Sequence, residues 1–166
     1  MTGSATSLIR VPSPLGRLEL TADDEQVLSL SIERDGHLPL EGAPEVHSPV
    51  LLEAARQLEE YFAGTRTSFD LPVRLGGGTA FQQAVWNRLA TIGFGEFLSY
   101  GELGLEIGRP GSGRAIGGAV GANPVPIIIA CHRVLASNGR ITGYSGGNGI
   151  PTKVWLLDHE GIGHAA

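Results

Sequence analysis

Ser99-Tyr100-Gly101-Glu102-Leu103-Gly104-Leu105-Glu106-Ile107-Gly108-Arg109-Pro110-Gly111-Ser112-Gly113-Arg114-Ala115-Ile116-Gly117-Gly118-Ala119-Val120-Gly121-Ala122-Asn123-Pro124 decides how the rest of the chain is read. Ser99 and Glu102 have the spacing of a capping box, which opens a short helix carrying Leu103 and Ile107. Gly108-Arg109-Pro110-Gly111 stops that helix, Ser112 caps a second one from Gly113 to Ala122, and Asn123-Pro124 ends it. Two short helices joined by a tight Gly/Pro turn form a helix-turn-helix signature. The second is built almost entirely of Gly, Ala, Ile and Val with one arginine, and each of Gly117, Gly118 and Gly121 costs about 1 kcal/mol relative to Ala in a helix interior. Such a composition implies a close approach to this backbone. Either a neighbouring helix fills the space, or a nucleic-acid groove does, with Arg114 projecting into it.

Directly downstream, Ile127-Ile128-Ile129-Ala130-Cys131-His132-Arg133-Val134 reads as an apolar, strand-like run that ends on the only cysteine of 166 residues. A lone cysteine is by default a small buried hydrophobe. A thiol followed by His and Arg also suits a nucleophilic thiolate, and taken alone the segment leaves both readings open.

Charge is unevenly spread. Net charge is -5, yet residues 1–78 hold twelve acids against six arginines, whereas residues 107–157 have no Asp or Glu and carry Arg109, Arg114, Arg133, Arg140 and Lys153. This segregation suits a polyanion-binding face; an acid-poor stretch that is merely Gly-rich and buried is the alternative. One cysteine excludes an internal disulfide, and no apolar run approaches the roughly 20 residues of a membrane span. Met1-Thr2-Gly3-Ser4-Ala5-Thr6-Ser7 lacks the basic start and apolar stretch of a signal peptide, so the expected compartment is the cytoplasm.

Upstream, Ser7–Val11, Arg17–Ala22 and Val27–Ile32 read as a small antiparallel sheet, separated by turns at Ser13-Pro14-Leu15-Gly16 and Asp23-Asp24-Glu25. A helix follows a loop, with Ser48 as N-cap, Pro49 in its first turn, Leu51, Ala55, Leu58 and Phe62 on one face, and Gly64 as its stop. His37 and His47 read as surface residues. Gly76-Gly77-Gly78 reads as a joint that buries nothing, dividing an N-terminal domain at 1–76 from a C-terminal domain at 77–166. Thr79 and Gln82 then form another capping box, opening a helix with Phe81, Val85 and Leu89 on its apolar face.

The chain resembles the O6-alkylguanine-DNA alkyltransferases, a family of DNA-repair proteins. The resemblance runs through Ser13-Pro14-Leu15-Gly16, Tyr61-Phe62-Ala63-Gly64, Phe81-Gln82-Gln83-Ala84-Val85-Trp86, Gly95-Glu96, Ser99-Tyr100-Gly101-Glu102 and Arg114-Ala115-Ile116-Gly117-Gly118-Ala119. It continues through Asn123-Pro124-Val125-Pro126-Ile127, Cys131-His132-Arg133-Val134, Gly143-Tyr144-Ser145-Gly146-Gly147, Lys153 and Trp155-Leu156-Leu157. It implies an α/β protein: a ribonuclease-H-like three-stranded sheet with a helix, then a mainly helical, winged-helix-like DNA-binding domain containing the helix-turn-helix. The implied activity is irreversible, single-turnover transfer of an alkyl group from O6-alkylguanine in duplex DNA, with O4-alkylthymine as a further substrate, to Cys131. The base must be flipped out, because a thiolate cannot reach the alkylated atom inside the duplex.

The same resemblance assigns roles. His132, backed by Glu160, generates the thiolate through a bridging water; Asn123 ties the recognition helix to the cysteine segment. Tyr100 helps rotate the nucleotide and protonates the leaving guanine. Arg114 fills the vacated stack, with Ser112, Ala115, Gly117 and Gly118 also on the DNA face. Tyr144, Ser145 and Gly146 wall the base pocket, and carbonyls of Cys131 and Val134 receive the exocyclic amine. His159 reads as surface or packing. A monomer acting on double-stranded DNA, with no metal, no cofactor and no membrane partner, is expected.

Ala130 and Gly93 stand where the family usually has Pro, and Gly104 where Ala is common; loss of the fixed proline φ before Cys131 is expected to loosen the thiol. The loop Gly147–Thr152 reads as slightly longer than in relatives. Two other classes are open to such a sequence: a lesion-binding protein of the alkyltransferase-like kind, which lacks the acceptor, and a helix-turn-helix regulator. The retained Cys131 opposes the first, and the scarcity of polar base-reading side chains on the second helix opposes the other.

Overall fold

The computed structural model describes residues 6–165. The reading of the N-terminus as free of a signal peptide falls on residues 1–5, outside the described residues, and on the two that follow. β1 (Ser7–Val11), β2 (Leu18–Ala22) and β3 (Val27–Ile32) form an antiparallel sheet in the order β1-β2-β3, with Ile9 opposite Leu20 and Leu20 opposite Leu30. α1 (Pro49–Phe62) packs on this sheet; Ser48 caps it by accepting from the Leu51 N–H, and Gly64 leaves it at φ +81°, a conformation that suits glycine. Its buried face is Leu51, Ala54, Leu58 and Tyr61 rather than the expected Leu51, Ala55, Leu58 and Phe62. A spacing of three turns Tyr61 into the core and leaves Phe62 half-buried.

The segment after α1 is not a slack joint. Pro72 O accepts from Val27 N–H and Arg74 N–H donates to Val27 O, so the chain runs beside the start of β3. A Cβ on Gly78 would lie 2.5 Å from the Trp86 ring, so this glycine is needed for close approach, contrary to the expectation that the joint buries nothing. α2 (Ala80–Leu89) then opens on the Thr79–Gln82 capping box, and β4 (Leu98–Ser99) leads into α3 (Tyr100–Glu106) through the Ser99–Glu102 box. α4 (Gly113–Gly121) packs against α2 and α3, and Trp86 Nε1 donates to Ala119 O at 2.8 Å. β5 (Val134–Leu135) pairs in parallel with β4, and α5 (Ile150–His159) closes the described chain. No helix among the described residues is long and apolar enough to cross a membrane.

Three further expectations are corrected. Ser112 does not cap α4: at φ -101° and ψ 34° its hydroxyl turns back and donates to Arg109 O. Ile127–Ala130 is not a strand but a folded turn, in which Ile129 N–H donates to Val125 O and Ile127 adopts φ +73°. α5 starts at Ile150, inside the stretch read as a loop to Thr152. One continuous apolar core joins Leu20, Ile32 and Tyr61 to Trp86, Ile116, Val134 and Leu156, so both halves of the chain are packed as one body around the cysteine turn.

Candidate active site

Cys131 opens a single 3-10 turn, Cys131–Arg133, instead of lying on a strand. The change matters because neighbours on a strand point to opposite faces, whereas successive side chains on a 3-10 turn are only about 120° apart. Asn123 builds the approach to this turn. Its Nδ2 donates to Ile129 O at 2.7 Å and its Oδ1 accepts from Val125 N–H at 3.0 Å, which ties the end of α4 to the backbone two residues before the thiol. Ala130 sits at φ -79°, within the range of proline, so the chain reaches the proline geometry without proline. Gly93 and Gly104 are explained as well. Gly93 N–H donates to Glu96 Oε1, which proline lacks the hydrogen to do, and a Cβ on Gly104 would lie 2.9 Å from Arg109 O.

Behind the thiol lies a buried polar cluster. His132 is fully buried, and its Nε2 lies 2.8 Å from Glu160 Oε2. Arg133 forks onto the same carboxylate through Nε (2.7 Å) and Nη2 (2.8 Å), and holds Ile92 O with Nη1 at 2.5 Å. Burial alone would raise the Glu160 carboxyl, but the His132 and Arg133 donors outweigh it and keep the group well below the usual carboxylate range. An ionised carboxylate only accepts, so His132 Nε2 carries its proton and Nδ1 is left as a lone pair. Among the described residues, that buried Nδ1 has no hydrogen-bond partner. Burial also lowers the imidazolium pKa, which favours the neutral ring.

The thiol itself is kept protonated by burial, opposed by Asn123, by Tyr144 and by the positive charge of Lys153. Lys153, almost fully buried on α5, donates from Nζ to Val134 O at 2.6 Å and to Gly143 O at 3.3 Å. Burial brings it down to about 8, a value from which it can still carry charge at neutral pH.

Cys131 lies on the wall of a cleft of about 640 Å³ whose lining includes Tyr100, Gly117, Gly121, Thr142, Tyr144, Ser145 and Lys153. The cleft therefore gathers residues from α3, α4, the loop after β5 and α5. Ser145 Oγ donates to Gly121 O at 2.7 Å and clips that loop to α4. Nothing lies within 4 Å of a Cβ built on Gly117 or Gly118, so no neighbouring helix explains these glycines; the open surface itself does. Arg114 and Ala115 are exposed on the same helix, and Arg114 makes no hydrogen bond or ion pair among the described residues.

Other expected site residues fall elsewhere. Gly146 backs the cleft rather than lining it, since a Cβ there would meet the Tyr144 ring at 2.9 Å and Ile32 at 3.2 Å. Val134 is buried with its carbonyl already held by Lys153. Arg133 and Lys153 leave the presumed polyanion face and serve the interior, so the exposed cations of the acid-poor stretch are Arg109, Arg114 and Arg140. His159 is a packing residue: it stacks on Trp155 at 4.8 Å and donates to Tyr61 O. Sequence reasoning counted Arg133 and Lys153 among the cations of a polyanion-binding face and assigned Tyr61 no role. An acid-free stretch containing one lysine inside a helix of apolar residues was the available signal for Lys153; Tyr61 had none.

Residues 80–162 match the family described as 6-O-methylguanine DNA methyltransferase, DNA binding domain, and residues 8–75 match its ribonuclease-like domain. A methylated-DNA–protein-cysteine methyltransferase of Haemophilus influenzae is 41% identical over 156 residues, 91% of this chain and 84% of that protein. One from Mycobacterium bovis is 42% identical over 150 residues, covering 90% and 89%. Among solved structures, the O6-methylguanine methyltransferase of Mycobacterium tuberculosis superposes with a TM-score of 0.83 at 39% identity, over 98% of this chain and 97% of its own. The structure of Mycobacterium tuberculosis OGT in complex with DNA gives 0.77 at 42% identity, over 91% and 90%.

Proposed function

The chain belongs to the 6-O-methylguanine DNA methyltransferase family, and we propose that Cys131 is the residue on which its reaction ends. The protein binds DNA and repairs it by alkyl transfer, as a methylated-DNA–protein-cysteine methyltransferase. The observation that supports the residue assignment is a cleft-lining thiol followed directly in the chain by a buried imidazole whose Nε2 is committed to Glu160 and whose Nδ1 has no partner among the described residues.

In the proposed sequence, α4 lies against duplex DNA with its open glycine face, Arg114 enters the stack, and an O6-alkylguanine turns out into the cleft. His132 Nδ1 takes the thiol proton through an intervening water. The Cys131 thiolate attacks the alkyl carbon, an S–C bond forms as the C–O6 bond breaks, and the electron pair leaves with guanine. Tyr100 donates a proton to the departing base; burial raises its pKa, which keeps that proton in place until the base gains charge. Lys153 supports the thiolate by its charge. A thioether is a poor leaving group, so each molecule reacts once.

Asn123 holds the turn, while Tyr144 and Ser145 form the wall against which the base rests. Residues 1–76 and 77–166 are read as two domains sharing one core, and the protein as a cytoplasmic monomer. The test is intact-mass measurement after incubation with duplex DNA containing O6-methylguanine. A single gain of one CH2 unit, absent in Cys131→Ser, is expected; tight lesion binding with no mass change in the unaltered protein would replace transfer with lesion recognition alone.

A further inference from the structure

The polar cluster behind Cys131 is not closed by C-terminal residues alone. Tyr61, on α1 of the N-terminal half, is fully buried and donates its hydroxyl to Glu160 Oε2 at 2.6 Å. That oxygen also accepts His132 Nε2 at 2.8 Å and Arg133 Nη2 at 2.8 Å, while Oε1 takes Arg133 Nε and the Gly95 N–H. A carboxylate oxygen has two in-plane lone pairs, so three donors on Oε2 share what two can satisfy fully. The shortest of the three bonds belongs to Tyr61.

The phenol is placed with care. Its ring is held at 5.3 Å from Phe69, 6.2 Å from Phe94 and 4.9 Å from His159, and the latter fixes the Tyr61 backbone carbonyl from the other side. Burial and the nearby carboxylate raise the Tyr61 pKa, so it stays a donor at every working pH. The charged groups acting on His132 are Glu160 and Lys153 from α5 and its cap, and Arg133 from its own turn; Glu160 additionally faces Tyr61 from α1 and the Gly95 N–H from the loop before β4. Of these, Tyr61 is the side chain that comes from the N-terminal half.

We propose that Tyr61 is a positioning residue for the alkyl transfer, which sets the basicity of His132 by drawing on the carboxylate oxygen that His132 also uses. Each donor on Oε2 reduces the negative charge felt at the imidazole N–H, and a weaker charge there means a weaker base at Nδ1. The N-terminal half thereby reaches the chemistry although it contributes nothing to the cleft wall. This inference rests on His132 being the base, and the experiment separates the two.

Tyr61→Phe keeps the ring and removes the hydroxyl. The His132 Hε1 resonance is titrated by NMR in the unreacted protein, and the single-turnover alkyl-transfer rate is followed against pH in parallel. Loss of the hydroxyl is expected to raise the His132 pKa by on the order of 0.5–1 unit and to move the acid limb of the rate profile upward with it. Site-specific 3-fluorotyrosine at position 61, a stronger donor, is expected to move both the opposite way. A His132 titration unchanged in Tyr61→Phe, or shifted in the same direction by both replacements, overturns the inference. A shifted titration with an unmoved rate profile upholds the influence of Tyr61 and removes His132 as the base. Thermal unfolding of each variant accompanies the titration, and a change in melting temperature without the paired, opposite pKa shifts counts as a structural role and also overturns it.

Discussion

The two sides of the cleft are built on opposite plans. On the Cys131 side, His132, Arg133, Lys153 and Glu160 are all buried and interlocked by short hydrogen bonds. On the α4 side, Gly113, Arg114, Ala115 and Gly118 are exposed, and the helix is anchored on its other face by buried Ile116, Ala119 and Val120. Bond-making demands groups fixed to fractions of an ångström, and dense polar packing supplies that. Recognition of a lesion in any sequence context demands close backbone approach, which bare glycine supplies without reading bases.

The strongest way to break this contrast is Glu160→Gln. Removing the charge leaves Arg133 buried without its partner, which costs about 3–5 kcal/mol of stability in urea unfolding and also slows alkyl transfer. The pH dependence should follow from the same cluster. Folded-state pKa values of Glu160 and His132 both lie below their ordinary values of 4.5 and 6.5, so the unfolded chain binds more protons. Their stabilising contribution is complete above those values and is lost as pH falls, first below 6.5 for His132 and then below 4.5 for Glu160. Urea midpoints measured from pH 7 to 3 should fall accordingly, and Glu160→Gln should lose the lower part of that dependence.

Arg114→Ala probes the other side. Its guanidinium is exposed and unpaired, so unfolding should not change, while repair of duplex DNA should slow by roughly tenfold, equivalent to about 1.4 kcal/mol. The defect toward free O6-benzylguanine should be smaller, since no stack has to be filled; equal losses on both substrates would remove the proposed role. Gly118→Ala sharpens the contrast further. With nothing near the new methyl, the helix should gain about 0.5–1 kcal/mol in thermal or urea unfolding, yet affinity for duplex DNA in a titration should drop. Least disruptive is Ala130→Pro. The φ of -79° accepts the ring, so repair rate should be kept and stability should rise by about 0.4–1 kcal/mol; a slower rate would show that the turn before Cys131 needs alanine's freedom.

The helices were legible because their signals are local. Ser48, the Thr79–Gln82 pair and the Ser99–Glu102 pair act within one turn, and each capping bond forms as the spacing implies. Ser112 has the right residue type but not the extended backbone that a cap requires, and spacing alone does not report backbone angles. The turn at Ile127–Ala130 was misread as a strand because β-branched residues favour strands, while the side-chain bonds of Asn123 to Ile129 O and Val125 N–H and the left-handed Ile127 fold it locally, which residue type alone does not report. Cys131, His132, Asn123 and Glu160 were legible only through the ordered motifs of the resemblance; the structure brings them together.

By itself, the sequence determined where the three capped helices begin, that the chain has a single thiol, and that an acid-free stretch surrounds it. Tertiary structure alone decided which of the nearby cations face inward, that Gly117 and Gly118 border open space, and that Tyr61 meets Glu160 across ninety-nine positions of chain. The reason is range. Caps and periodicity are encoded within a few residues, but the protonation state of a buried imidazole depends on every donor that the folded core brings to its carboxylate.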